Sequence, residues 1–227
     1  MSMVRELREN FELHIAKPLL RGISHLAAFF VSLLSGVVLA LQATAVASLI
    51  AALVYATGLS LALGTSALYH RVRWSPRGRR IAQKLDHSMI FVLVGSTYTP
   101  IILLGLNGDW RLWGMIAVWV TASGGIIMRL AIPNLPRAAM VAAYMGCGWA
   151  AVALMPQLHH SLSPAAFALL VAGGLLYAAG GFIYLFKRPN PFPRVFGFHE
   201  VFHAFVIAAA TCHYLAVFDT ITRHINS

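Results

Sequence analysis

Seven apolar runs, each long enough to cross a bilayer, constrain this chain more than any other feature. They extend from Ile23 to Leu41, Ala45 to Tyr69, Asp86 to Leu106, Leu112 to Leu130, Ala138 to Met155, Ala165 to Phe186 and Phe198 to Phe218. About 20 apolar residues cross the hydrocarbon core once as a helix. The first two runs are almost continuous, so length forces a break near Gln42 to Thr44. In lipid each backbone N–H and C=O must find a partner within the protein, which leaves helices for segments of this length. The expected fold is all-α: a polytopic membrane protein built as a seven-transmembrane helix bundle. Its domains read as an N-terminal segment at 1–22, one membrane domain at 23–219 and a C-terminal tail at 220–227. Composition agrees, with 59% hydrophobic and 11% charged residues against about a quarter charged in soluble domains.

The net charge of +10 invites a nucleic-acid reading, which its distribution excludes. With a cytoplasmic N-terminus, fifteen of the 17 lysines and arginines fall in cytoplasmic segments, leaving Arg111 and Arg223 outside. That bias sets N-terminus in and C-terminus out, and the basic residues meet anionic headgroups. Glu6, Glu9 and Glu12 argue against a cleavable signal peptide. Cys147 and Cys212 lie in apolar runs and read as packing residues. The pairs Gly124-Gly125, Gly173-Gly174 and Gly180-Gly181 read as places where helices approach closely.

Polar groups at the cytoplasmic ends of these spans are costly in a membrane without partners and so point to function. His199 and His203 are four apart, on one face of the seventh helix. Glu200 completes a His-Glu-x-x-His run, but it points off that face and is read as interfacial. His70 ends the second span at the same membrane level, with Ser66 one turn deeper. Asp86 opens the third span there too, either as part of a site or paired with Arg79, Arg80 or Lys84. Three histidines with a carboxylate suit a catalytic zinc that keeps one position for water. His87 faces away from Asp86 and receives no role. His25, near the start of the first span, is the spare candidate. His213 lies about 21 Å further along its helix at 1.5 Å per residue and is excluded. His159 and His160 fall in an expected outside loop covering Pro156 to Pro164.

The combination Ser66-Ala67-Leu68-Tyr69-His70, Lys84-Leu85-Asp86-His87-Ser88, Gly95-Ser96-Thr97-Tyr98-Thr99-Pro100 and His199-Glu200-Val201-Phe202-His203 resembles the hemolysin III family. That family is the bacterial branch of the progestin and adipoQ receptor group. The resemblance spans residues from about 15 to 220. It implies zinc held by His70, His199 and His203, with Asp86 at the zinc water and Ser66 beside it. The wider superfamily includes intramembrane amide hydrolases. The expected function is a zinc-dependent hydrolase of lipid amides or esters in the bacterial inner membrane, with membrane lipids as partners. The alternatives are a receptor-like lipid sensor with structural zinc, and a cytolysin.

Overall fold

The computed structural model describes residues 18–223. The described residues form α1 (Ile23–Gln42), α2 (Val46–Arg71), α3 (Pro76–Gly105), α4 (Gly108–Ala131), α5 (Arg137–Trp149), α6 (Met155–Ser161), α7 (Pro164–Phe186) and α8 (Phe198–Arg223). A 3-10 turn at Ala150–Leu154 joins α5 to α6, and the three together make one span. Seven spans are therefore long and apolar enough to cross a membrane, and the chain is a multi-pass membrane protein. The charged segment expected at 1–17 and the residues after Arg223 lie outside the described residues.

Neighbouring helices in sequence pack side by side, and α1 returns to α8, so the bundle closes on itself with α3 against α8 across the middle. Leu59, Leu63, Leu93, Ile101, Ile102 and Leu170 fill the interior. Lipid tails are as apolar as these side chains, so close packing and interhelical hydrogen bonds hold such a bundle. In two of the pairs one glycine makes a close approach. A Cβ on Gly173 would stand 2.2 Å from the His213 ring, and one on Gly125 the same distance from Phe91. Gly174 and Gly124 face open space.

Three boundaries differ from the sequence reading. First, α3 starts at Pro76, ten residues before Asp86. Ser75 caps it by accepting from the Gly78 N–H at 3.2 Å, with Pro76 in the first turn. The basic stretch 76–84 is helical because a good cap and a proline at the first position favour the start there, whatever its hydropathy. Second, the expected loop from Pro156 is the helix α6, since a proline in a first turn forfeits no helical hydrogen bond. His159 and His160 sit on it. Third, α8 runs through residues 220–223, expected as tail. Asp219 accepts from Ser163 at 2.6 Å and from Arg223 at 2.9 Å, tying that end to the cap of α7.

Candidate metal centre

The site assembles at one end of the bundle, from the last turn of α2, the middle of α3 and the first two turns of α8. The start of α8 is held first. Asn190 accepts from the Phe198 N–H at 2.9 Å, and Glu200, third in the helix, reaches back to the Gly197 N–H at 2.8 Å. That is the glutamate half of a capping box. Glu200 is 2% exposed and ion-paired with Arg21. It is thus a buried structural anchor and not the interfacial residue expected, although it does point off the histidine face. Two backbone bonds, Leu19 N–H to Arg194 and Leu20 N–H to Val195, run alongside it. Gly22 then turns the chain into α1 at φ 76°, where a Cβ would meet that of His70 at 2.6 Å. Glycine is needed there for both the left-handed backbone and the space.

On this frame His70, His199 and His203 converge, and one ring nitrogen from each lies within 4.8 Å of the other two. Nε2 of His70 and Nε2 of His199 are 3.0 Å apart. His70 and His203 are buried and His199 is half-buried. Asp86 is also half-buried and bears on the same cavity as Ser66, His199 and His203. Its carboxylate interacts with the Ser66 hydroxyl. None of the three cations that flank it in sequence forms an ion pair with it. Lys84 donates to the Leu130 carbonyl at 2.8 Å, and Arg79 lies over the Tyr69 ring.

Two residues left without a role in the sequence take part. His25 stacks on His203, and its Nδ1 lies 2.8 Å from Ser66 Oγ. His87 lines the cavity and accepts from Arg129. Neither had a sequence signal beyond being a histidine near the right membrane level, because the partners lie on other helices. His213 is apart from the site, with Nε2 on the Leu170 carbonyl at 3.1 Å.

The residues present fit a zinc ion. Two nitrogens bound to one tetrahedral zinc, each at about 2.0–2.1 Å, stand about 3.4 Å apart, close to the separation between His70 and His199. Nδ1 of His203 is buried with no hydrogen-bond partner among the described residues, and such a nitrogen is costly unless something satisfies it. An all-imidazole donor set favours zinc over magnesium or calcium. The cavity of about 70 Å³ beside the triad is otherwise lined by apolar side chains, among them Ile90, Leu93, Met140, Val141, Phe202 and Val206.

The comparisons agree with the architecture. The family model described as haemolysin-III related matches residues 13–214. A Bacillus cereus protein named Hemolysin-3 is 30% identical over 75% of this chain and 74% of its own. The human monocyte to macrophage differentiation factor is 24% identical over 77% of this chain and 71% of its own. The Drosophila melanogaster adiponectin receptor protein is 28% identical over 69% of this chain and 39% of its own. With seven spans, and a family match that takes in every helix bearing the histidine triad, the chain belongs to the haemolysin-III-related family.

Proposed function

We propose that the chain is a zinc-dependent hydrolase of lipid amide or ester bonds, working at the cytoplasmic face of the bacterial inner membrane. One observation carries the reading: a cluster of three imidazoles, two of which line a mostly apolar cavity together with a carboxylate and a hydroxyl, sits inside a membrane bundle. His70, His199 and His203 would hold the ion. A zinc bound there supplies Lewis acidity and brings the pKa of a bound water down to about 7. Asp86 would take the proton of a water held there. Ser66, set between His25 and Asp86, fixes the direction of the carboxylate. The apolar lining seats the acyl chain of a membrane lipid and keeps bulk water from the reacting bond.

The test is turnover of a defined lipid set, ceramides and acyl esters included, by purified zinc-loaded protein, with Asp86→Asn as control. Hydrolysis by wild type and its loss in a variant that retains zinc is the expected result. Zinc-loaded wild type that leaves every lipid intact overturns the reading. It would favour the receptor-like sensor, a role that accords with the name of the Drosophila relative. Three protein ligands and no fourth among the described residues favour the catalytic reading over a structural one, since structural zinc sites are closed by four. The cytolysin reading rests on the name of the Bacillus cereus relative, and release of liposome contents without lipid cleavage is its signature.

A further inference from the structure

We propose that the open groove between α2 and α4 is a second ligand site, which takes a quinone: a flat ring bearing carbonyls on an apolar tail. The groove shares no lining residue with the cavity beside the triad, so the site stands apart from the metal centre. Binding alone is proposed, with no electron transfer.

Two glycines of the bundle shape the groove. Gly58 lets α2 approach α3 so closely that a Cβ there would stand 2.0 Å from Ser96 Oγ. On the other side of α3, Trp119 of α4 lies over Gly95, where a Cβ would come within 3.2 Å of the indole. The indole is fixed by its Nε1–H as well, which donates to the Thr99 hydroxyl at 3.1 Å. Val92 and Ser96 of α3 form the floor. Leu53, Thr57 and Leu61, four apart on one face of α2, form one wall, and Trp119 forms the other. The volume is about 330 Å³, within the usual range of ligand pockets, about 300–1,000 Å³.

Thr57 marks what the groove selects. It stands eleven residues past Val46, the first residue of α2, and so about 16 Å along the helix at 1.5 Å per residue. The hydrocarbon core is about 30 Å thick, which puts Thr57 near its middle. The residue is exposed, and its hydroxyl makes no hydrogen bond among the described residues. Thr97, Thr99, Thr121 and Thr220 each hide theirs on the carbonyl four residues back. A bare hydroxyl in hydrocarbon is costly. Phospholipid offers no relief, because its polar head stays at the interface about 15 Å away. A hydroxyl has one proton to donate, and a carbonyl carried to that depth by an apolar molecule accepts it. A quinone brings such a carbonyl on a ring that packs against the Trp119 indole, while Leu53, Val54 and Leu61 seat its tail.

The experiment measures equilibrium binding of decylubiquinone to the full chain in phospholipid nanodiscs. Decylbenzene, with the same tail and no carbonyl, is the control. Wild type should bind the quinone saturably and more tightly than the control by about fivefold or more, the scale of one hydrogen bond to a group otherwise left unpaired. Thr57→Val keeps the shape of the side chain and removes the hydroxyl. It should erase that preference and leave decylbenzene binding as it was, and Thr57→Ser should restore the preference. Leu61→Trp fills the groove and should abolish binding of both. Equal binding of quinone and decylbenzene by wild type would show a groove for hydrocarbon alone and overturns the proposal. So does an unchanged preference in Thr57→Val, or quinone binding that survives in a folded Leu61→Trp. Thr57 is exposed on α2, so its two variants keep the bundle packing and decide the matter if Leu61→Trp does not fold. No lipid is cleaved and no metal is read, so failure of the hydrolase reading and failure of this one give different results.

Discussion

The imidazole of His25 lies flat against that of His203, with ring centroids 3.7 Å apart and planes 9° from parallel. The same ring holds Ser66 through Nδ1 at 2.8 Å. One side chain of α1 thus supports both a triad residue and the serine that faces Asp86. Residues that orient metal ligands from behind typically contribute 10- to 100-fold to metal affinity. His25→Ala should therefore weaken zinc binding by about tenfold or more by that measure, read by competition with a chelator. His25→Phe restores the flat ring and not the bond to Ser66. It should recover most of the affinity, and wild-type affinity in His25→Ala would show the stack to be idle.

His203→Ala should remove most of the bound zinc, because it takes one of three imidazoles from the cluster. His213→Ala should leave metal content unchanged, since His213 bonds the Leu170 carbonyl on the far side of the bundle interior. Elemental analysis of the two purified variants checks both. Full occupancy in the first or loss in the second places the metal elsewhere.

The Gly173-Gly174 pair gives a packing test within two adjacent residues. Gly173→Ala forces a methyl against the His213 ring at 2.2 Å and near the Ala209 carbonyl at 3.1 Å. Overpacking of this kind costs about 1–3 kcal/mol, and thermal melting in detergent should fall accordingly. Gly174→Ala meets nothing within 4 Å and should melt at or slightly above wild type, alanine being the better helix former. Equal melting of the two variants would contradict the packing described.

Topology is tested by reporters. One inserted near Gly78 should read cytoplasmic, and one fused after Ser227 external. The reverse pattern would move the histidine cluster to the outer face and with it the proposed reaction.

The seven spans were legible because hydropathy accumulates over twenty residues and tolerates local noise. The triad was legible in part: His199 and His203 share a face by helical periodicity alone, and loop charge placed His70 at their level. Helix starts were harder. Arg77, Arg79, Arg80 and Lys84 lower the hydropathy of 76–85 and hid the first turns of α3, although Ser75-Pro76 is itself a start signal. Long-range pairings left no trace in one sequence. Nothing local to His25, His87 or Glu200 names Ser66, Arg129 or Arg21 as a partner. Hence a histidine read as spare, one read as idle and a glutamate read as interfacial all proved to be held by residues distant in sequence.

The contact between Arg21 and Glu200 joins the approach to α1 to the first turn of α8, with the chain at Leu19 and Leu20 laid beside Arg194 and Val195. Glu200 adjoins His199 in sequence, so this junction works as a lever. A push or pull on the segment before α1 is delivered to the base of the helix that carries two members of the triad, while Ser163 and Asp219 pin the other end of that helix. Whatever grips the chain ahead of Arg21 thereby gains mechanical purchase on the histidines without touching them.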